Sequence, residues 1–148
     1  VHILGDGAVQ PPVVVDSLGM AALAEAAETV HAGLSYTSTL KTMPLDRGSP
    51  NGTAQGKRKR IHRLRLQLMD TMAVNGMVVG PDLTTLDQVD FRLETDSIDQ
   101  APSLFTGILD AGKFPGGTER EGSIVFRQSD PLPCTLVAIY PQMLTESS

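Results

Sequence analysis

Residues 63–68 read Arg-Leu-Arg-Leu-Gln-Leu. Side chains that alternate with period two belong to a strand with one face buried and one face wet. On a helix, Leu64, Leu66 and Leu68 would scatter around the circumference. Ile61 falls on the wrong side of the alternation, so a bulge is expected near His62. A second alternating stretch, "QVDFRLE" at 88–94, sets Val89, Phe91 and Leu93 against Asp90, Arg92 and Glu94. Two half-buried strands of this kind commit the chain to an antiparallel, layered β-fold.

The rest of the chain agrees with that commitment. Fourteen Gly and ten Pro call for many turns and short elements. "VHILGDGAVQPPVVV" reads as two short strands around a turn at Asp6-Gly7, residues that tolerate positive φ. Pro11-Pro12 stops pairing, which makes this arm an edge or an extended crossing. "TVHAGLSYTSTLKTMPL" reads as a strand, and "DRGSPNGTAQG" as a long loop. "MVVGPDL" ends a strand at a turn, and "APSLFTGIL" is short and apolar. "SIVFRQ" and "CTLVAIY" flank "SDPLP" as a candidate hairpin, with Pro141 closing the last strand. "MAALAEAAETV", residues 20–30, is the one segment with helix propensity. The expected fold is mainly β: an antiparallel β-sandwich or barrel-like domain with at most one short helix. It covers 1–148 as a single domain, with 1–18 as an extended N-terminal arm.

Half of the positive charge sits in one place. Lys57, Arg58, Lys59, Arg60, Arg63 and Arg65 are six of twelve Lys and Arg, in a chain of net charge −5. Residues 70–110 carry eight Asp and Glu against Arg92 alone. Segregated charge of this kind suits ion-paired contact between elements or subunits. The competing reading is a nucleic-acid-binding β domain that sets the basic strand 57–65 on phosphates. Against it, residues 50–70 contain no aromatic stacking platform, and the overall balance is acidic.

Catalytic and metal signatures are weak. "GTAQGKRKR" fails the phosphate-loop pattern, because Gly52 and Gly56 are too close and Arg58 stands where Ser or Thr belongs. His2, His31 and His62 lie far apart, outside any metal-ligand spacing. The single Cys134 sits in apolar "PLPCTLVAIY" and reads as a buried, space-filling thiol. No run approaches eighteen apolar residues, so no membrane span is expected. No catalytic residue, metal or cofactor is expected.

Several ordered segments together carry a resemblance. These are "VVDSLGMAAL…TVHAGLSYTSTLKTMPL", "GTAQGKRKRIHRLRLQL", "GPDLTTLDQVDFR" and "SLFTGILDAGKFPGGTEREGSIVFRQSDPLPCTLVAIYPQM". The chain resembles the C-terminal part of the tail nozzle proteins of short-tailed phages and prophages, also called tail tubular protein B or DNA-stabilisation proteins. Ser35 departs from the pattern, where Pro is common. The resemblance implies a non-enzymatic structural virion component, made in the bacterial cytoplasm and located in the phage tail. It implies a homo-oligomeric ring, a hexamer being one such form, that contacts portal, adaptor and other tail proteins. DNA would pass through its channel without sequence recognition. The start at Val1 fits the expectation of a fragment from a longer chain.

Overall fold

The computed structural model describes residues 1–46, 52–72, 76–89, 91 and 103–146. Their fold is all-β, with three antiparallel sheets and no helix among the described residues. A hairpin opens the chain: β1 (His2–Gly5) and β2 (Ala8–Gln10) flank Asp6-Gly7, whose φ values of 49° and 83° form the expected tight turn. β3 (Val30–Gly33) pairs with the other side of β1 and completes a small sheet of order β2-β1-β3. Residues 1–33 thus form their own sheet, where an extended arm over 1–18 is expected. Among the described residues, none of residues 1–33 belongs to the core cluster that joins the other two sheets.

The remaining strands build a sandwich. One sheet has the order β10-β5-β8, from β10 (Thr135–Thr145), β5 (Lys59–Thr71) and β8 (Phe105–Lys113). The other has the order β4-β9-β6-β7, from β4 (Ser38–Lys41), β9 (Val125–Gln128), β6 (Met77–Gly80) and β7 (Asp87–Gln88). Leu64, Leu66 and Leu68 of β5 meet Met77, Val79, Ile124 and Phe126 in one core cluster. Phe91 joins it and packs edge-on against Phe105, with ring centroids 5.5 Å apart.

β5 carries the alternation, interrupted twice. Its register against β10 steps from Arg63↔Gln142 to Ile61↔Met143, which leaves His62 as the bulged residue. The expected bulge is therefore present, and it returns Ile61 to the core. A second shift, against β8, lies between Leu68 and Thr71. There Asp70 adopts φ 44°, and its backbone N–H donates to Thr106 Oγ1 at 2.9 Å.

Four expectations are corrected. Residues 20–30 are not helical. A helix so short is marginal in water, and here the chain is held open from outside: Gln10 Nε2 donates to Glu25 O, and Asp6 accepts from Glu28 and Thr29 N–H. "TVHAGLSYTSTLKTMPL" splits into β3 and β4, which join different sheets. "SIVFRQ" and "CTLVAIY" are not a hairpin, because β9 pairs with β4 and β6 while β10 pairs with β5. Pro141 lies inside β10, opposite Leu64, and the strand runs on to Thr145. An edge strand tolerates proline because one side of its backbone needs no partner. Val89 and Phe91 are buried as their alternation requires; Asp90, Arg92, Leu93 and Glu94 lie outside the described residues, as does part of the 46–56 loop.

Candidate assembly surface

The six basic residues divide into three groups. Lys57 and Arg58 precede β5, half-buried and exposed respectively. Arg60, Arg63 and Arg65 stand on the outer face of the β10-β5-β8 sheet, opposite Leu144, Gln142 and Tyr140 of β10. Lys59 is withdrawn from the surface, at 2% exposure. This corrects its expected role as an assembly or phosphate contact. The cause is the bulge at His62: it places residue 59 on the same buried face as residue 61. Once the bulge is placed, the sequence itself carries that parity.

Lys59 is satisfied where it sits. Its Nζ donates to the carbonyl oxygens of Leu45 at 2.6 Å and Glu121 at 3.4 Å. Its backbone exchanges bonds of 2.6 and 2.7 Å with Glu119. Gly122 lies over the aliphatic stem with φ 59°, and a Cβ there would come within 3.0 Å of Lys59 Cδ. The lysine therefore ties the 114–122 loop and the end of the β4 connection to β5.

Arg63 and Arg65 share one carboxylate. Arg63 Nη2 lies 2.6 Å from Asp110 Oδ2 and its Nε donates to Oδ1 at 3.1 Å; Arg65 Nε lies 3.5 Å from Oδ2. The hydrogen bond from Arg63, aided by the Gly112 N–H, holds the Asp110 carboxyl below its ordinary value. Asp110 in turn raises Arg63. All three groups are well exposed, so the pairs orient the arginines more than they stabilise the fold.

The same outer face is unexpectedly apolar. Met69, Ile108, Val137, Tyr140 and Leu144 are exposed. Ile108 and Ala138 flank Gln67 on its two sides, and Tyr140 Oη donates to Gln67 Oε1 at 2.5 Å. The sequence signal for this was present in "LVAIY", an edge strand apolar on both faces. Asp110 as the shared partner carries no such signal, since its position depends on register.

Other expected features are dispersed. His2 and His31 lie in the small sheet and His62 in β5. No group of three His, Cys, Asp or Glu that could hold a metal occurs among the described residues. Cys134 is half-buried instead of buried, and desolvation pushes its thiol pKa up. No helix is long and apolar enough to cross a membrane among the described residues. Comparison with protein-family models and with characterised proteins finds no match.

Proposed function

We propose that this chain is a non-enzymatic structural module of a phage-type tail, which assembles with copies of itself around a DNA channel. The observation that carries the reading is the outer face of β10-β5-β8. It mixes arginine, methionine, tyrosine and aliphatic side chains in the open. Protein–protein interfaces are enriched in Arg, Met and aromatics and depleted in Lys, Glu and Asp. Contiguous exposed apolar surface marks contact sites. The segment resemblance set out above supplies the kind of assembly. The face meets a neighbouring subunit, with Asp110 holding Arg63 and Arg65 in place for it.

The nucleic-acid reading is weakened by the same geometry. Phosphate binding scales with free cations, yet Lys59 is buried and Arg63 and Arg65 already share Asp110. The test is the double variant Arg63→Glu with Arg65→Glu, in the chain alone and in its parent assembly. The isolated chain keeps its circular dichroism spectrum and a near-normal melting midpoint, while assembly seen by size-exclusion chromatography and electron microscopy fails. Normal assembly by the double variant removes the basis of the proposal. Retention of DNA in a low-salt gel shift, abolished by Arg58→Glu with Arg60→Glu, would favour the other reading.

A further inference from the structure

The arginine face has one end whose charge the chain does not answer. Lys113 stands directly opposite Arg63 across β8 and β5, and Arg60 lies three residues from Arg63 along β5. Like charges directly opposite on a sheet destabilise it. Asp110 meets Arg63 and Arg65, but Arg60 and Lys113 form no ion pair among the described residues. Asp70, the other acid of these strands, lies at the far end of β5, where its carboxylate accepts from Thr106. The exposed charge of β5, β8 and β10 is thus four cations against two carboxylates. Leu144 lies opposite Arg60 and Tyr140 opposite Arg65, both exposed, so apolar surface flanks the cations.

Two copies packed face to face would not answer this charge. A two-fold contact sets a patch on its own copy, which here means arginine against arginine, and juxtaposed like charges repel. The fitting partner surface is acidic, and the chain carries one. Residues 1–40 contain no Lys or Arg. Their four acids, Asp6, Asp16, Glu25 and Glu28, join no ion pair among the described residues. Asp6 and Asp16 accept from backbone N–H groups of their own sheet and turn.

Glu25 and Glu28 are exposed, and their contacts are made by backbone. Glu25 N–H donates to Gln10 Oε1 at 3.4 Å, its carbonyl accepts from Gln10 Nε2 at 3.0 Å, and Glu28 N–H donates to Asp6 Oδ2 at 3.1 Å. These bonds hold "LAEAAETV", residues 23–30, open where its composition favours a helix. A segment fixed in one conformation loses little entropy on docking. Leu23 and Val30 flank the two acids and are exposed too. Glu25 and Glu28 are three residues apart, as are Arg60 and Arg63, which keeps each pair within roughly 11 Å of backbone.

We infer that the cationic end of the β10-β5-β8 face binds the 23–30 segment of a second copy, with Glu25 and Glu28 on Arg60, Arg63 and Lys113. Leu23 and Val30 meet the flanking apolar side chains. Segment and face are different surfaces, so the contact is head-to-tail and closes into a ring or continues as a filament. It rests on the reading of this chain as an assembly module, and gives the arginine face its occupant.

Charge exchange in the 148-residue chain tests the contact. Sedimentation velocity is expected to show association that grows with protein concentration. Its strength falls roughly tenfold between about 0.05 and 0.5 M salt, because exposed charges are screened. Glu25→Lys with Glu28→Lys abolishes it, and so does Arg60→Glu with Lys113→Glu. Both double variants keep the circular dichroism spectrum, since all four residues are exposed. Mixing the two variants restores association, because each chain's altered surface then meets its opposite on the other. Three outcomes each overturn the contact: a wild type that stays monomeric or associates regardless of salt, association that survives Glu25→Lys with Glu28→Lys, or a mixture that stays apart. Duplex DNA retained by the wild type and lost with Arg60→Glu and Lys113→Glu, with no association between copies, assigns the cations to phosphate instead. Parent assembly lost with Arg63→Glu and Arg65→Glu but untouched by Glu25→Lys with Glu28→Lys defeats this contact and leaves the module reading standing.

Discussion

Lys59 and Arg60 are adjacent and carry the same charge, yet the pleat sends one into the sandwich and the other into solvent. Charge reversal tests that parity. Lys59→Glu aims a carboxylate at the carbonyl oxygens of Leu45 and Glu121. A buried, unpaired charge destabilises on the order of 3–5 kcal/mol, against a total stability of about 5–15 kcal/mol for a domain. The Lys59→Glu chain is expected to lose much of its folded population at 37 °C. Arg60→Glu, on the wet face, is expected to leave the denaturation midpoint where it was. Equal midpoints in a urea titration would mean that residue 59 is not inside. The same reasoning explains Gly122, where any Cβ meets the lysine stem and the φ of 59° already disfavours side chains.

At the scale of elements, the turn between β1 and β2 also anchors the entry to β3. Asp6 accepts the Thr29 and Glu28 N–H groups through its two carboxylate oxygens, and its own N–H donates to Thr29 O. These bonds, Thr29 first, hold its pKa below the ordinary 3.8. A depressed folded-state pKa gives stability that is present above the unfolded value and lost as pH falls through the folded one. The β1–β3 pairing is thus expected to persist through pH 4 and to loosen below the ordinary carboxylate range. An NMR pH titration following Thr29 N–H and the Asp6 carboxyl would show it, and a midpoint at or above 3.8 would contradict it. Elements were legible from sequence where local chemistry decides them. The Asp6-Gly7 turn, the β5 alternation and the His62 bulge all follow from neighbours in the chain. Residues 20–30 misled because their fate is decided by Gln10 and Asp6, one turn of sheet away. The β9–β10 relation misled for a similar reason: "SDPLP" permits a hairpin, but the core rewards β9 for joining β6. Of the candidate surface, Arg63 and Arg65 were legible by alternation; Asp110 as their shared partner depends on the β5–β8 register, which no local pattern records.

Across the whole molecule, cohesion is uneven. The core cluster draws on β5, β6, β8, β9 and β10 and on Phe91 and Phe114, with nothing from residues 1–33. In the small sheet, Ile3 is the one hydrophobic side chain in the buried class. A three-stranded sheet needs an apolar face packed on something to stand alone, and here the pairing is instead helped by the side-chain bonds of Asp6 and Gln10. Regions with few buried apolar contacts open at free energies far below that of global unfolding. Hydrogen exchange on the dilute chain is therefore expected to be at least about a hundredfold faster for the β1–β3 amides than for β5, β6 and β9. Binding to a neighbour stabilises whatever it contacts by mass action. In assembled protein, exchange should slow over β5, β8 and β10, whose outer face is the proposed contact surface. Uniform protection in the dilute chain would mean that the small sheet shares the sandwich's cooperativity.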